Sequence, residues 1–437
     1  MNYKLSTLKN GLQLITSPVK GTETATILIM VATGSKFENR ENNGVSHFLE
    51  HMFFKGTRKR PTAQAIANAF DSIGSENNAF TTKEYTGFWV KVGVKNLEKG
   101  VEIISDMIKN SKFDAREIER EKGVIIEELN MYEDNPIMHI DDVFEECLYG
   151  DSPAGWEIIG TKKSINGLKR EDFLSYVSSQ YGAGNIVIAA AGNIDEKKIH
   201  KLLLKYFSGL GKARKIKKAA VKEDQKSPRV RISFKKTDQA HLVLGVRSFP
   251  YGAKTEMAEK MLGVILGGSM GSRLFSELRE RRGLAYYVRA QSEFYSDSGY
   301  FAAQAGLRVE KIEESIEIIL RELKRIAREL VKPAELRRVK DLVKGRMAIH
   351  LESSDSIASW YGRQAVLALE KSEALGGAPD YKKEILTPKE FFRKVDGVRA
   401  GEIQDLAKEI FKTQNLNLAI IGPYKNEEKK FAKLLKF

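Results

Sequence analysis

Two histidines and a glutamate that stand close together in the chain could bind and use a metal ion. His47 and His51 are four residues apart, account for two of the six histidines, and have Glu50 between them. Two imidazoles one helical turn apart can bind a single zinc ion, and a non-ligating carboxylate beside them can accept a proton from water on that metal. This H-x-x-E-H order is the inverse of H-E-x-x-H. Histidines on a helix also have capping or core roles, so the motif needs a third ligand to indicate a metal site.

A buried helix is predicted to position these three side chains. Apolar residues in the stretch 43–56 recur at helical spacing, with Asn42 or Asn43 as the predicted N-cap and Gly56 as the predicted C-terminal stop. At about 100° per residue, the two histidines lie about 40° apart, and the glutamate lies about 60° to the other side of the first histidine. One face of this helix therefore carries two imidazoles and a carboxylate.

The third ligand is expected from a second helix, whose start is marked by a capping-box pattern at Asp114. Glu121 and Glu128 are seven residues apart, nearly two helical turns, so both lie on one face at the edge of an apolar stripe. Half-buried carboxylates need a cation nearby, and zinc would meet that need. The neighbouring Glu127 points to another part of the helix and is predicted to lie on the surface.

The spacing between the two segments carries a family resemblance. His51 is followed by 76 residues and then Glu128, and with this ligand spacing the chain resembles the pitrilysin, insulysin and mitochondrial processing peptidase family, the inverzincins. The resemblance implies that His47, His51 and Glu128 bind one zinc ion per chain. It also implies that Glu50 is the general base and that Glu121 supports the site from behind the ligands.

A glycine-rich segment, residues 266–286, is the main motif of the second half, which has no H-x-x-E-H. The segment contains neither a Walker Gly-Lys-Ser/Thr nor G-x-G-x-x-G, which argues against a nucleotide site. It resembles the C-terminal signature of the same family, in which an arginine and a tyrosine seven residues later bind the substrate backbone and help to polarise the scissile carbonyl. The resemblance implies this role for Arg279 and Tyr286. Without it, they would be read as a solvated cation and a core aromatic residue.

The candidate substrate-binding residues lead into a predicted strand that is expected to form the edge of its sheet. The segment Asn78, Ala79, Phe80 and Thr81 precedes a strand near 85–92 that is rich in aromatic and β-branched residues. It resembles the Asn-Ala-x-Thr segment of the family, which implies that a peptide substrate adds alongside it as an extra strand. The alternative is an ordinary solvated edge strand.

The order of predicted elements indicates two similarly folded halves. Shifting the sequence by 230 residues places Ala189 on Ala419 and Gly192 on Gly422, with an amphipathic helix after each strand. The predicted fold class is α+β, with each half a mainly antiparallel sheet packed with helices, as in processing peptidases. The predicted domains are a zinc-binding peptidase domain at 1–210, a linker at 211–228, and a C-terminal inactive-type domain at 229–437 that carries the Arg/Tyr segment.

Composition limits the other classes of function. The formal net charge of +14 could attract nucleic acid, but the densest basic run, residues 212–218, has no aromatic residues and is typical of a solvated linker. No apolar run is long enough to span a bilayer, and the N-terminus has no signal-peptide h-region, so a cytoplasmic protein without a membrane segment is predicted. The single cysteine, Cys147, excludes an internal disulfide framework.

The motif and the family resemblance together imply a zinc-dependent endopeptidase that cleaves peptides or unfolded polypeptide segments inside an enclosed chamber. A homodimer is expected, because longer members of the family carry four such domains in one chain and half-length members pair. The alternatives are a non-catalytic structural or partner subunit of the same fold and a basic nucleic-acid-binding protein. A heterodimer with a paralogue that lacks the zinc ligands is the alternative assembly.

Overall fold

The computed structural model describes residues 2–212, 217–374 and 379–437. Residues 213–216, which belong to the predicted linker and its basic run, lie outside the described residues. Helices and two mixed sheets make up the fold, so the predicted α+β class is confirmed. No helix in the described part of the chain combines the length and the apolar composition needed to cross a membrane.

Within the described ranges, eleven strands form two sheets. The first sheet has the order β1-β2-β6-β3-β5-β4 and contains β1 (Lys4–Thr7), β2 (Gln13–Pro18), β3 (Thr24–Val31), β4 (Glu76–Thr81), β5 (Thr86–Gly93) and β6 (Ile186–Gly192). The second sheet has the order β7-β11-β8-β10-β9 and contains β7 (Arg229–Phe234), β8 (Gln239–Ser248), β9 (Ala285–Phe294), β10 (Gly299–Arg308) and β11 (Asn417–Gly422).

The helices of the first half of the chain are α1 (Val45–Met52), α2 (Ala63–Asp71), α3 (Leu97–Asn110), α4 (Ala115–Asp134), α5 (Pro136–Tyr149), α6 (Lys162–Gly167), α7 (Arg170–Gln180) and α8 (Glu196–Phe207). Those of the second half are α9 (Glu256–Gly267), α10 (Ile312–Arg328), α11 (Pro333–His350), α12 (Ser354–Ala374), α13 (Tyr381–Glu384), α14 (Pro388–Gly397), α15 (Ala400–Ile410) and α16 (Glu428–Ala432). A π-helical turn occupies Phe275–Glu280. Short 3₁₀ turns lie at Ser35–Phe37, Val94–Asn96, Ala183–Asn185, Val309–Lys311 and Thr413–Asn415.

The two sheets have the same topology. Without β1, the order β2-β6-β3-β5-β4 corresponds strand for strand to β7-β11-β8-β10-β9. Each sheet has one parallel pair, β2 with β6 and β7 with β11, and its other pairs are antiparallel. Ala189 on β6 pairs with Leu28, and Ala419 on β11 pairs with Val243 at the corresponding place. The sequence repeat therefore reflects two similarly folded halves.

The compact units of the structure differ from the contiguous division at 211–228. One unit comprises residues 1–129, 157–219 and 347–390, and the other comprises 130–156, 220–346 and 391–437. Thus α12 packs on β3 and β6 of the first sheet, and α5 packs on β8 and β11 of the second. Glycines allow the close approach: a Cβ on Gly362 of α12 would lie 3.2 Å from Leu28 Cδ2, and one on Gly245 of β8 would lie 2.7 Å from Phe144 Cζ.

Helix α1 is held on the core of the first unit. The central strands β3 and β6 are buried along almost their whole length. Phe48 of α1 is fully buried and meets Phe173 edge to face, with ring centroids 4.8 Å apart. Just after the helix, the Phe53 ring meets Phe88 of β5 in the same way at 5.1 Å. Apolar packing on both sides therefore fixes the helix that carries the candidate ligands.

Candidate metal centre

The N-terminus of α1 is capped by a residue from outside the motif. The predicted asparagine cap does not form: the N-cap is Gly44, at φ 97°, where an added Cβ would lie 2.5 Å from Ile159 O. Glu38 instead accepts hydrogen bonds from the backbone N–H groups of Gly44 (2.7 Å) and Ser46 (2.8 Å). The Asn43 amide donates to the same carboxylate at 3.0 Å. A buried carboxylate upstream thus satisfies the free N–H groups, which flanking sequence cannot show.

The C-terminal end of α1 brings a lysine to the second candidate helix. The helix ends at Met52 rather than at Gly56, which follows in a turn at φ 130°. Lys55, within this turn, places its Nζ 2.6 Å from Glu121 Oε2. Glu121 is 2% exposed, so this ion pair supplies a positive charge to a buried carboxylate.

The three predicted ligands converge. His47, His51 and Glu128 each offer one ligand atom, and these atoms lie within 4.8 Å of one another. The Nε2 of His47 is 3.7 Å from Glu128 Oε1, and the Nε2 of His51 is 3.4 Å from Glu128 Oε2. Glu127 is exposed on the surface of α4, away from this group. Helices α1 and α4 thus supply a set of two imidazoles and one carboxylate.

These separations fit a zinc ion. Ligand atoms about 2.0–2.1 Å from a tetrahedral zinc lie about 3.3 Å from one another. The two nitrogen–oxygen distances of 3.4 and 3.7 Å, each to a different oxygen of Glu128, are close to that edge length, and the three ligand atoms lie within 4.8 Å of one another. Three protein ligands of this kind leave a fourth position for water or substrate, the arrangement of catalytic rather than structural zinc sites.

Glu121 orients one of the ligand rings. His51 Nδ1 is 2.9 Å from Glu121 Oε1. When His51 loses a proton to bind a metal, its imidazole therefore donates from Nδ1 and leaves the lone pair of Nε2 on the side of Glu128. Burial alone would raise the pKa of Glu121, but its hydrogen bonds with His51 and Lys55 outweigh burial and lower it. The carboxylate therefore stays ionised beside the ligand that it orients.

The two histidines titrate in opposite directions in the metal-free protein. Burial, with the nearby His51, lowers the pKa of His47 to about 4. Burial would also lower the pKa of His51, but hydrogen bonds with Glu121 and Glu128 outweigh it and raise this pKa to about 9. At neutral pH His47 is thus ready to bind a metal, whereas His51 carries a proton that the metal must displace.

Glu50 lies beside the candidate ligands, and its carboxylate bonds to Thr81 of β4. Its Oε2 accepts a hydrogen bond of 2.6 Å from Thr81 Oγ1. Burial raises the pKa of Glu50, the Thr81 hydrogen bond and the charge of His51 lower it in part, and the charge of Glu128 raises it further. A carboxylate with a raised pKa next to a candidate metal position is suited to exchange protons with water or substrate.

The strand expected at the edge, near 85–92, is β5, which pairs with both β3 and β4 inside the first sheet, so that expectation is wrong. The preceding strand, β4, forms the edge instead. Asn78, Ala79, Phe80 and Thr81 all lie on β4, which pairs with β5 and ends the sheet. The backbone N–H of Ala79 donates to the Asn78 side chain at 2.9 Å. The Phe80 ring packs where a Cβ on Gly87 would lie, at 2.3 Å. Through Thr81, this free edge reaches the candidate metal centre.

Arg279 and Tyr286 lie in the second compact unit, whereas the candidate ligands lie in the first. The Arg279 guanidinium is 5.1 Å from the centre of the Phe275 ring, within the π-helical turn. Tyr286 is on the edge strand β9 and is 53% exposed, so it is not a core aromatic residue. His241, in the same unit, is buried with its Nδ1 3.1 Å from Tyr287 Oη.

Sequence reasoning missed three contacts of this site. Lys55 is four residues after His51, and that helical spacing could have suggested that it shares a face with the ligand. The Glu38 cap has no sequence signal, because it depends on how a loop folds back. The hydrogen bond from Thr81 to Glu50 joins residues 31 positions apart, and only the packing of α1 beside β4 brings them together.

Comparisons with known proteins identify a family for both parts of the chain. Residues 14–162 match the family described as "Insulinase (Peptidase family M16)", and residues 167–343 match the "Peptidase M16 inactive domain". A crystal structure of a protease from Helicobacter pylori superposes with a TM-score of 0.87 at 23% identity, covering 97% of this chain and 99% of that one. That likeness shows a shared fold.

Similarity to named proteins extends along the chain. The "Uncharacterized zinc protease YmxG" of Bacillus subtilis is 33% identical over 97% of this chain and 99% of its own length. An "Uncharacterized zinc protease" of Rickettsia felis is 34% identical over 97% of this chain and 98% of its own. Identity at this level over nearly the full length of both proteins, with the two adjacent family matches, shows that the chain belongs to peptidase family M16, the insulinase family.

Proposed function

We propose that this chain is a zinc-dependent endopeptidase that cleaves peptides or unfolded polypeptide segments. The observation that carries the proposal is the convergence of His47, His51 and Glu128, with Glu50 beside them but engaged elsewhere. Full-length relatives that are named zinc proteases support the same chemistry. Retention of every residue of the H-x-x-E-H motif favours a catalytic chain over a non-catalytic subunit of the same fold.

The chain's own residues supply proton transfer and positioning. Zinc, when held by the two histidines and Glu128, would act as a Lewis acid on the attacking water and on the peptide carbonyl. Glu50 accepts the proton of that water and later donates it to the leaving amine, so one carboxylate serves as base and then as acid. Glu121 keeps the His51 ring in the orientation that this geometry requires.

Substrate binding is proposed to use backbone contacts. The free edge of β4 offers main-chain groups to which a peptide can add as an extra strand, independently of its side chains. Arg279 and Tyr286 are proposed to bind the substrate backbone and to stabilise the oxyanion. The homodimer, its enclosed chamber and the cytoplasmic location stay predictions from the family resemblance.

Metal removal and restoration test the proposal. The purified chain, treated with a chelator and assayed on an unstructured fluorogenic peptide, should lose activity and should recover it with one equivalent of zinc. Glu128→Gln should lose both zinc and activity, and its neighbour Glu127→Gln is the matched control that should keep both. Activity that survives complete zinc removal would contradict the proposal. Tight binding of oligonucleotides without peptide cleavage would favour the nucleic-acid alternative.

A further inference from the structure

We propose that Thr81 is a positioning residue for Glu50: its hydroxyl holds one carboxylate oxygen so that the other faces the reacting water. The inference rests on the proposed peptidase function and gives Thr81 a role beyond substrate pairing. The Thr81 Oγ1 to Glu50 Oε2 distance is 2.6 Å, in the range of hydrogen bonds from a hydroxyl to a carboxylate. The hydroxyl of Thr81 thus acts through Glu50, whereas its backbone is part of the β4 edge proposed to pair with substrate.

The two oxygens of Glu50 have different surroundings. Oε2 accepts the Thr81 hydroxyl, whereas Oε1 accepts no hydrogen bond from any group in the described ranges of the chain. A carboxylate on a two-carbon stem can rotate about its last torsion, which is broad rather than strongly staggered. One hydrogen bond to Oε2 removes most of this freedom. The free oxygen is then presented in one direction, as a general base requires.

A threonine at this position is suited to the task. The hydroxyl has one proton to donate, and the Glu50 carboxylate is its acceptor. Its β-branched side chain restricts χ1, so the hydroxyl direction is largely set by the backbone of β4. That backbone is fixed in turn by pairing with β5, where Thr81 lies opposite Thr86.

The turn after Thr81 is hydrogen-bonded to the segment 34–38 of the same unit. Ser35 donates its backbone N–H to Thr82 O at 3.2 Å, and Lys36 donates its own to Lys83 O at 2.8 Å. The side chains of Lys36 and Glu84, each 1% exposed, form an ion pair of 3.0 Å. A buried pair of this kind fixes the turn, because separating it would leave a charge in the interior.

The segment 34–38 also holds the helix that carries Glu50. Gly34 lies against the turn so closely that a Cβ there would be 2.1 Å from Thr82 O. Four residues later, Glu38 caps the N-terminus of α1 through the N–H groups of Gly44 and Ser46. One short segment therefore sets the position of both β4 and α1. The same segment therefore holds the two elements that the hydrogen bond between Thr81 and Glu50 connects.

Kinetics of Thr81→Val test the positioning role. Valine keeps the shape and the β-branch but removes the donor, so kcat should fall about 10- to 100-fold while KM and zinc content stay unchanged. Thr81→Ser, which keeps the hydroxyl, should recover most of the loss. Thr7→Val, at an exposed threonine on β1 whose hydroxyl donates to Gln13, is the matched control and should behave as wild type. A raised KM with unchanged kcat would show that Thr81 serves substrate binding alone and would overturn the inference.

Unfolding of the metal-free protein supplies a readout independent of activity. In a double-mutant cycle of Thr81→Val and Glu50→Ala, the shifts of the urea midpoint should be non-additive, because each change removes the same hydrogen bond. Additive shifts would overturn the contact. A wild-type chain that binds zinc but cleaves no peptide would refute the proposed function instead, and the cycle would still decide whether the two side chains are coupled.

Discussion

Zinc binding should release about one proton per chain at neutral pH, because His51 must lose its proton to become a ligand. Its pKa of about 9 means that about 99% of the metal-free chains carry this proton at pH 7. His47, with a pKa of about 4, is already neutral there. Proton competition should therefore weaken apparent zinc affinity about 100-fold at pH 7 relative to its value well above pH 9, equivalent to about 2.7 kcal/mol.

The affinity should rise about tenfold per pH unit between about pH 6 and pH 9 and then level off. Glu121→Gln removes the hydrogen bond to Glu121 that raises the His51 pKa. The zinc affinity of this variant should therefore reach its plateau at a lower pH than that of wild type. The same change should weaken zinc about 10- to 100-fold at the plateau, because the ring loses its orienting carboxylate. Glu119→Gln, at an exposed residue of α4 that pairs with Lys122, is the control.

Competition with a chelator of known affinity, run from pH 6 to pH 10, measures this profile. Titration calorimetry in two buffers of different ionisation enthalpy counts the protons released. No proton release at pH 7, or an affinity already level above pH 7, would refute the assignment of a protonated His51 held between Glu121 and Glu128.

Three further predictions concern the surroundings of the site. Lys55→Met should weaken zinc binding about tenfold in the chelator assay, because Glu121 loses the cation that balances its buried charge; unchanged affinity would contradict this. Glu38→Ala should lower the free energy of unfolding in urea by about 1–2 kcal/mol through loss of the α1 cap, and an unshifted transition would remove that role. We also propose a homodimer in which Arg279 and Tyr286 of one subunit complete the zinc site of the other, as the family resemblance implies. Mixing a Glu50→Gln chain with an Arg279→Ala/Tyr286→Ala chain should then restore about one working site per mixed dimer. A mixture as inactive as its parents, despite proven subunit exchange, would contradict the shared-site dimer.

Helical periodicity accounts for what the sequence could predict of the site. The i, i+4 spacing places His47 and His51 on one face of α1, and the seven-residue spacing places Glu121 and Glu128 on one face of α4. These are local relations within single helices, which backbone geometry determines. The likeness of the two halves could also be predicted, because β6 and β11 repeat a pattern that lies wholly within short segments.

The features of the site and fold that the sequence does not predict depend on contacts between segments far apart in the chain. The Glu38 cap and the Thr81 hydrogen bond arise only when loop 34–38, α1 and β4 pack together. Likewise, the apolar residues of α5 and α12 indicate that each helix is buried against another element, but they do not indicate which sheet it packs on. The segments of the two compact units alternate along the chain because α5 packs on the second sheet and α12 on the first. The order of helices and strands in the sequence does not indicate this alternation.

The most direct test of the central claim compares the wild-type chain with Glu50→Gln for zinc content and for peptide turnover in the same preparations. The amide cannot accept a proton from water, yet the three ligands are untouched. The variant should therefore hold as much zinc as wild type and lose turnover by about three powers of ten or more. Hydrolysis close to the wild-type rate in the zinc-loaded variant would contradict the account, because proton transfer would then not pass through Glu50.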